Sequence, residues 1–238
     1  REENQVATGT LTGSLLMGTT IRMESLFSDI PSATYTTGQT FNSQGVTWTA
    51  NVGPVTTDGD YINMNASGQS NVSAPIAEPN FTNMNGRRYD FTLNFNNPGS
   101  SNGRLWFMSS SINTLTGNGY ALYYDNVNAC KVERMVAGVG TQLIPCNGSN
   151  YPANSQDHDF SVRITSAGFI SLYIDEVFIG STTDTNYTAS LGVLFQASNS
   201  GSTDLKLKQF REYVFLASAT WQSDIYDAVT VSSWTTLD

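Results

Sequence analysis

Between Phe160 and Gly180 the chain has a pattern that only a sheet folding back on itself satisfies. Phe160, Val162 and Ile164 alternate with Ser161, Arg163 and Thr165, the period of a strand with one face buried and the other in water. Ser166, Ala167 and Gly168 interrupt it as a turn, and two more strand-like runs follow, Ile170 to Ile174 and Val177 to Ile179, separated only by Asp175 and Glu176. Two residues between strands is the length of a tight hairpin, whose favoured turns place both central residues at positive φ. Glu176 stands where glycine is the common solution. The spacing therefore predicts either a different turn type or local backbone strain.

The same period recurs on both sides of this meander. In Arg88 to Asn96, Tyr89, Phe91, Leu93 and Phe95 share one face without error, which predicts a central core strand. Gly103 to Ser109 is expected as its neighbour, followed by Gly119 to Asp125. Phe41 to Ala50 reads as two strands around a turn with Val46 and Trp48 on one face, and Leu191 to Gln196 and Leu205 to Phe215 add two more. Only Ser218 to Val229 looks helical, with Ser218 or Thr220 as N-cap. No repeat or Pro-rich linker divides the chain. One domain of about a dozen short strands is the economical reading: a core at about 21–216, an N-terminal arm at 1–20 and a closing segment at 217–238.

Composition narrows the function classes. Charged residues make up 13% of the 238 residues, against about 25% in ordinary soluble domains, and Ser, Thr, Asn and Gly fill the gap. That surface suits a secreted, cell-surface or particle-surface β protein better than a cytosolic enzyme. A formal net charge of -9 repels nucleic-acid phosphate. No apolar run approaches the roughly 18 residues of a membrane helix, so no membrane insertion is expected. The chain starts at Arg1 without a leader, and reads as a mature chain. Sequons stand at Asn65, Asn71, Asn80, Asn147 and Asn186; in a chain this rich in Asn, Ser and Thr several arise by chance, and they become glycan sites if the source is eukaryotic.

Cys130 and Cys146 are equidistant from Gly138. A symmetric hairpin turning at Gly138 sets Val132 opposite Ile144, Arg134 opposite Gln142 and Cys130 opposite Cys146. Directly opposed residues bring their Cβ atoms to disulfide distance. A cross-strand Cys130–Cys146 disulfide is predicted, and with it an oxidising compartment.

The succession Gly119-Tyr-Ala-Leu-Tyr-Tyr124, a Cys/Val/Arg strand, Phe160-Ser-Val-Arg-Ile164, Ile170-Ser-Leu-Tyr-Ile174 with Asp175 to Ser181, Asp184 and Gly192-Val-Leu-Phe195 resembles the laminin-G/concanavalin-A-like superfamily over about Arg88 to Phe215. The resemblance implies an all-β, two-sheet antiparallel sandwich, a jelly roll with little helix. It also implies glycan binding or adhesion as the commonest role, with a polysaccharide or glycoprotein glycan as partner. Fold alone does not choose among lectins, binding modules, glycosidases and lyases.

The residues test those options. Glycosidases of this fold carry a Glu-x-Asp-x-x-Glu strand motif, since retaining hydrolysis needs two carboxyl groups about 5–5.5 Å apart; the chain has none, and a non-catalytic module is expected. The only histidine, His158, lies between Asp157 and Asp159 and reads as an exposed polar loop before a strand, with a lyase base as the sharper option. Asp58-Gly59-Asp60 has oxygen ligands at a calcium-like spacing, as has Asp125-Asn126-x-Asn128, although both also suit ordinary turns. Calcium, which such jelly rolls often hold near the rim, is the one cofactor to weigh, with Asp58 and Asp60 as ligands. Sugar recognition stacks an aromatic ring on a pyranose beside polar handles. Trp48, Trp106, Tyr120, Tyr124 and Tyr151 are candidates, and Trp106 and Tyr124 with Arg104 and Asp125 are the preferred set. The competing readings are a structural subunit of an extracellular or virion assembly, its arms pairing with neighbours in an oligomer or filament, and a polysaccharide-cleaving enzyme.

Overall fold

The computed structural model describes residues 9–11, 19–64, 68–75, 84–95, 101–111, 116–125, 129–147, 156–199, 205–216 and 219–221. In chain order the strands begin with β1 (Gly9–Leu11), β2 (Thr19–Leu26), β3 (Ala33–Tyr35), β4 (Thr40–Ser43), β5 (Val46–Val52) and β6 (Val55–Thr57). They continue with β7 (Ile62–Met64), β8 (Gly68–Pro75), β9 (Met84–Phe95), β10 (Ser101–Ser109), β11 (Gly119–Asp125), β12 (Ala129–Val136) and β13 (Val139–Asn147). The last are β14 (Asp157–Thr165), β15 (Phe169–Ile174), β16 (Val177–Thr183), β17 (Gly192–Asn199), β18 (Leu205–Leu216) and β19 (Ala219–Trp221). Among the described residues the one helical element is a 3-10 turn, Phe27–Asp29, so none is long and apolar enough to cross a membrane.

Among the described residues two large antiparallel sheets form the sandwich, and β1 and β19 pair as a small third sheet. The first runs β13-β12-β11-β10-β17-β8-β5-β4 and the second β16-β15-β14-β9-β18-β7-β6-β3. β18 is long enough to hold β9 along one flank and, on the other, first β7 and then β2. The expected meander is β14, β15 and β16. Its tight turn takes the strained solution: Asp175 and Glu176 sit at φ 49° and 67°. Asp tolerates the left-handed region better than Glu, and Asp175 offsets the cost by accepting the Asp159 N–H at 2.9 Å.

Three expectations need correction. β10 is not the neighbour of β9: it pairs with β11 and β17 in the first sheet, while β9 is flanked by β14 and β18 in the second. The chain crosses between layers at that point because both edges of β9 are taken by strands remote in sequence. Thr220 does not cap a helix but lies in β19, opposite Thr10 of β1; Ser218 and 222–229 lie outside the described residues. In the cysteine hairpin, Val132 faces Ile144 and Cys130 faces Cys146, but Arg134 faces Thr141 rather than Gln142. The hairpin closes on a two-residue turn, Ala137–Gly138, at φ 48° and 84°, and the register is restored by a bulge at Leu143, which has no opposite residue. The disulfide forms there, with Cα atoms 5.0 Å apart.

The core is a chain of aromatic rings. Phe27 meets Trp48 at 5.4 Å, Trp48 meets Phe210 at 6.1 Å, Phe210 meets Tyr89 at 6.3 Å, and Tyr89 meets Phe107 at 5.3 Å. Phe107 continues to Tyr120 at 6.3 Å. Into this layer β9 and β18 also insert a charged pair, Arg87 Nη1 to Glu212 Oε1 at 3.0 Å, with 1% and 2% of the side chains exposed.

Candidate functional site

Alternation that buries one face of β9, β14 and β18 leaves the other face polar, and register assembles it into rows. One row across the outer face of the second sheet is Tyr213, Arg88, Arg163 and Ser171; the next is Arg211, Asp90, Ser161 and Tyr173; a third is Gln209, Thr92 and Asp159. Apart from the buried Ser171, these rows together with Glu176 line an open cleft of about 480 Å³.

The cleft is largely pre-organised by its own pairs. Arg88 grips Asp90 with two bonds, Nε to Oδ1 at 2.7 Å and Nη2 to Oδ2 at 2.5 Å, and that hydrogen bond raises the guanidinium's pKa further. Arg88 also lies over the Tyr213 ring at 5.1 Å. Arg211 Nε donates to Glu24 Oε1 on β2 at 2.7 Å, and the Thr92 hydroxyl donates to Asp159 Oδ1 at 2.6 Å. Arg163 covers the Tyr173 ring at 4.4 Å, and Tyr173 in turn meets the exposed Phe178 at 5.5 Å. The result is flat aromatic area beside fixed donors and acceptors on a rigid sheet, the mixture a concave ligand site uses.

None of the preferred residues from sequence lies there. Trp106 faces away from the sandwich interior but is 1% exposed, packed in a small cluster with Ala121, Met135 and Leu194, and its Nε1 donates to Gln196 Oε1 at 3.2 Å. Tyr124 points to the opposite side of the same sheet, into the core, 5.7 Å from Phe160. The odd residue spacing between Tyr124 and Ala121, which faces Trp106, separates the pair. Arg104 is engaged with the buried Glu133 at 3.0 Å and stacks on Tyr123, while Asp125 ends β11 opposite Asn102. Trp48 is buried and donates to Ser25 Oγ at 2.9 Å. Tyr120 is buried with its hydroxyl on Asp184 Oδ1 at 2.8 Å, and Tyr151 lies outside the described residues.

His158 is no loop residue. It sits within β14, 12% of its side chain exposed, with Nδ1 2.7 Å from Asp175 Oδ2. The pair holds the β15–β16 turn against β14.

Asp58 and Asp60 form a turn in which protein donors already engage the Asp58 carboxylate. Asp58 Oδ1 accepts the N–H groups of Asp60 and Tyr61 at 3.0 and 2.9 Å, and Oδ2 accepts from Asn63 Nδ2 at 2.8 Å with Lys206 Nζ 3.9 Å away. Partial burial would raise the Asp58 carboxyl, but these bonds and the lysine outweigh it and hold the pKa below the ordinary value. Among the described residues no group of three or more His, Cys, Asp or Glu is placed to hold a metal; Asn126 and Asn128 lie outside them. Of the sequons, Asn71 is 1% exposed in β8 and closed to modification as folded. Asn186 is exposed, its Nδ2 donating to Asp184 Oδ1 at 2.7 Å. Asn147 ends β13, and Asn65 and Asn80 lie outside the described residues.

Sequence reasoning missed the cleft because Arg88, Asp90, Ser161 and Arg163 read as the ordinary wet side of half-buried strands. The signal was present only as a pair of arginines on strands that turn out to be adjacent.

No protein-family model and no curated protein sequence matches the chain. Solved structures do resemble it. The Emp47p carbohydrate recognition domain superposes with a TM-score of 0.55 at 11% identity, covering 81% of this chain and 95% of that one. The potassium-bound Emp46p carbohydrate recognition domain gives 0.55 at 9%, covering 69% and 87%. The VIP36 exoplasmic/lumenal domain bound to Ca2+ and Man3GlcNAc gives 0.53 at 11%, covering 73% and 84%. At such identities the likeness is one of fold: the described strands form a jelly-roll sandwich of two antiparallel sheets, the fold that the resemblance implied.

Proposed function

We propose that the chain is a non-catalytic carbohydrate-binding domain working in an extracellular or lumenal space, and that the cleft on the second sheet is its glycan groove. The observation that carries this is the cleft itself: Tyr173 and Tyr213, each with an arginine over one ring face, line it, and Arg88, Asp90, Thr92, Asp159 and Arg211 are fixed around them on strands. Pre-formed polar groups bind hydroxyls at little ordering cost. Two facts support the reading. The fold is shared with the carbohydrate recognition domains named above, and the Cys130–Cys146 disulfide suits an oxidising compartment. Non-catalysis is favoured by the state of the cleft carboxylates, since Asp90 is chelated by Arg88 and Asp159 accepts the Thr92 hydroxyl.

A structural subunit whose arms reach its neighbours is less well supported. The described parts of arm and tail, Gly9–Leu11 and Ala219–Trp221, pair with each other.

The test is a glycan screen with and without chelator, followed by calorimetry on the best ligand. Tyr173→Ala is expected to weaken binding at least about tenfold, the cost of an aromatic platform of about 1.5 kcal/mol, while Arg104→Ala and chelator leave it unchanged. A wild-type protein that binds no glycan, or a Tyr173→Ala variant that binds as wild type, overturns the reading.

A further inference from the structure

The cleft has one cation left over. Arg88 and Arg163 are directly opposed on β9 and β14, and like charges in opposed positions repel. Arg88 is neutralised by Asp90 and Arg211 by Glu24. Arg163 is exposed, and its guanidinium has only the Tyr173 ring as partner among the described residues. Beside it, two residues back on the same face of β14, Ser161 Oγ is buried with no hydrogen-bond partner. A buried hydroxyl without a partner calls for an explanation, and its place under the cleft floor lets it reach a ligand oxygen once the side chains over it shift.

The polarity of the cleft runs along β14, from the carboxylate of Asp159 through Ser161 to Arg163. Such a gradient orients a ligand with hydroxyl donors at the Asp159 end and an anion at the Arg163 end. A planar carboxylate matches the guanidinium fork, which accepts it in two parallel bonds while the other edge of the group reaches Ser161. The net charge of -9 opposes every polyanion at long range, and more so the denser its charge, which ranks heavily sulfated chains below sugars with at most one carboxylate per residue.

We infer that the glycan taken by this cleft is a uronic acid oligosaccharide whose carboxylate is bound by Arg163 and Ser161. The inference rests on the cleft being the glycan groove. Calorimetry on the full chain with four probes tests it: hexagalacturonate, its methyl ester, a sulfated galactan and a neutral mannan. Hexagalacturonate is expected to bind best, and its methyl ester and the Arg163→Gln variant each to lose about 10- to 100-fold, the worth of one charge-assisted pair. Arg163→Lys should recover part of the loss, since it keeps the charge without the fork, and Ser161→Ala should cost about fivefold or more. Thermal melts of Arg163→Gln unchanged from wild type establish that the fold is intact. Equal affinity for acid and ester, undiminished binding by Arg163→Gln, or preference for the sulfated galactan overturns the inference. If the mannan binds through Tyr173 and ignores Arg163, the groove stands and only the acidic ligand falls; if no probe or other glycan binds, both fall.

Discussion

The buried pair Arg87–Glu212 offers a sharp test of what holds the cleft in place. Its two residues lie one position from Arg88 and Arg211, so the same register that pairs them inside the sandwich sets the groove row outside. At 3.0 Å the attraction is about 5.5 kcal/mol for an effective dielectric of about 20, and desolvation of two ions consumes several kcal/mol of it. Glu212 also lies opposite Tyr89 in register. Burial, and then the nearby Glu212 charge, push that phenol far above its ordinary pKa, so Tyr89 stays neutral. Removing one partner strands the other charge in an apolar layer. Arg87→Met and Glu212→Leu singly are each expected to lower unfolding free energy by about 3–5 kcal/mol. The double variant replaces both charges with apolar volume and is expected within about 1–2 kcal/mol of wild type. Urea denaturation with shared m-values reads all three. Single variants costing under about 1 kcal/mol, or a double variant as damaging as the two singles summed, would refute the reasoning. A double variant that folds but loses ligand would show that the pair fixes cleft register as well as stability.

Reduction of Cys130–Cys146, whose sequence separation is 16, is expected to cost about 3 kcal/mol by freeing the unfolded hairpin, read as a lower melting temperature with a thiol reductant and no change in the Cys130→Ala/Cys146→Ala variant on reduction. The carboxyls of Asp58, Asp157 and Asp184 have lowered pKa values: burial pulls each upward, but hydrogen bonds outweigh it, from Asn63 for Asp58, from Lys208 for Asp157 and from Asn186 for Asp184. Because the folded state releases these protons more readily than the unfolded state, stability is fully present above the ordinary carboxylate value near 4 and falls as pH drops through the lower folded values. Urea midpoints measured downward from pH 6 should show that loss, with a shallower slope in Asp184→Asn; a flat profile would count against it. Trp106→Ala should cost about 3–5 kcal/mol from cavity formation while leaving ligand affinity per folded molecule unchanged, which a melt and a titration together decide.

What the chain determined by itself was everything that a period of two and a turn length can encode. Tyr89, Phe91 and Leu93 declare one buried face, the two residues between Ile174 and Val177 force a hairpin, and the near-symmetric spacing around Gly138 joins Cys130 to Cys146. These are local relations, set by side chains that alternate and by backbone that turns within a few residues. Tertiary structure decided which strands became neighbours. β9 passed over β10 for β14 and β18 because in a two-layer sandwich hydrogen-bonding partners are chosen by closing both sheets, not by adjacency in the chain. The same choice buried Trp106 and Tyr124 on opposite sides of one sheet and set Arg88 against Arg163 on the other. A cleft made by four strands exists only once their register does, which is why its residues look like unremarked surface until the sheet is assembled.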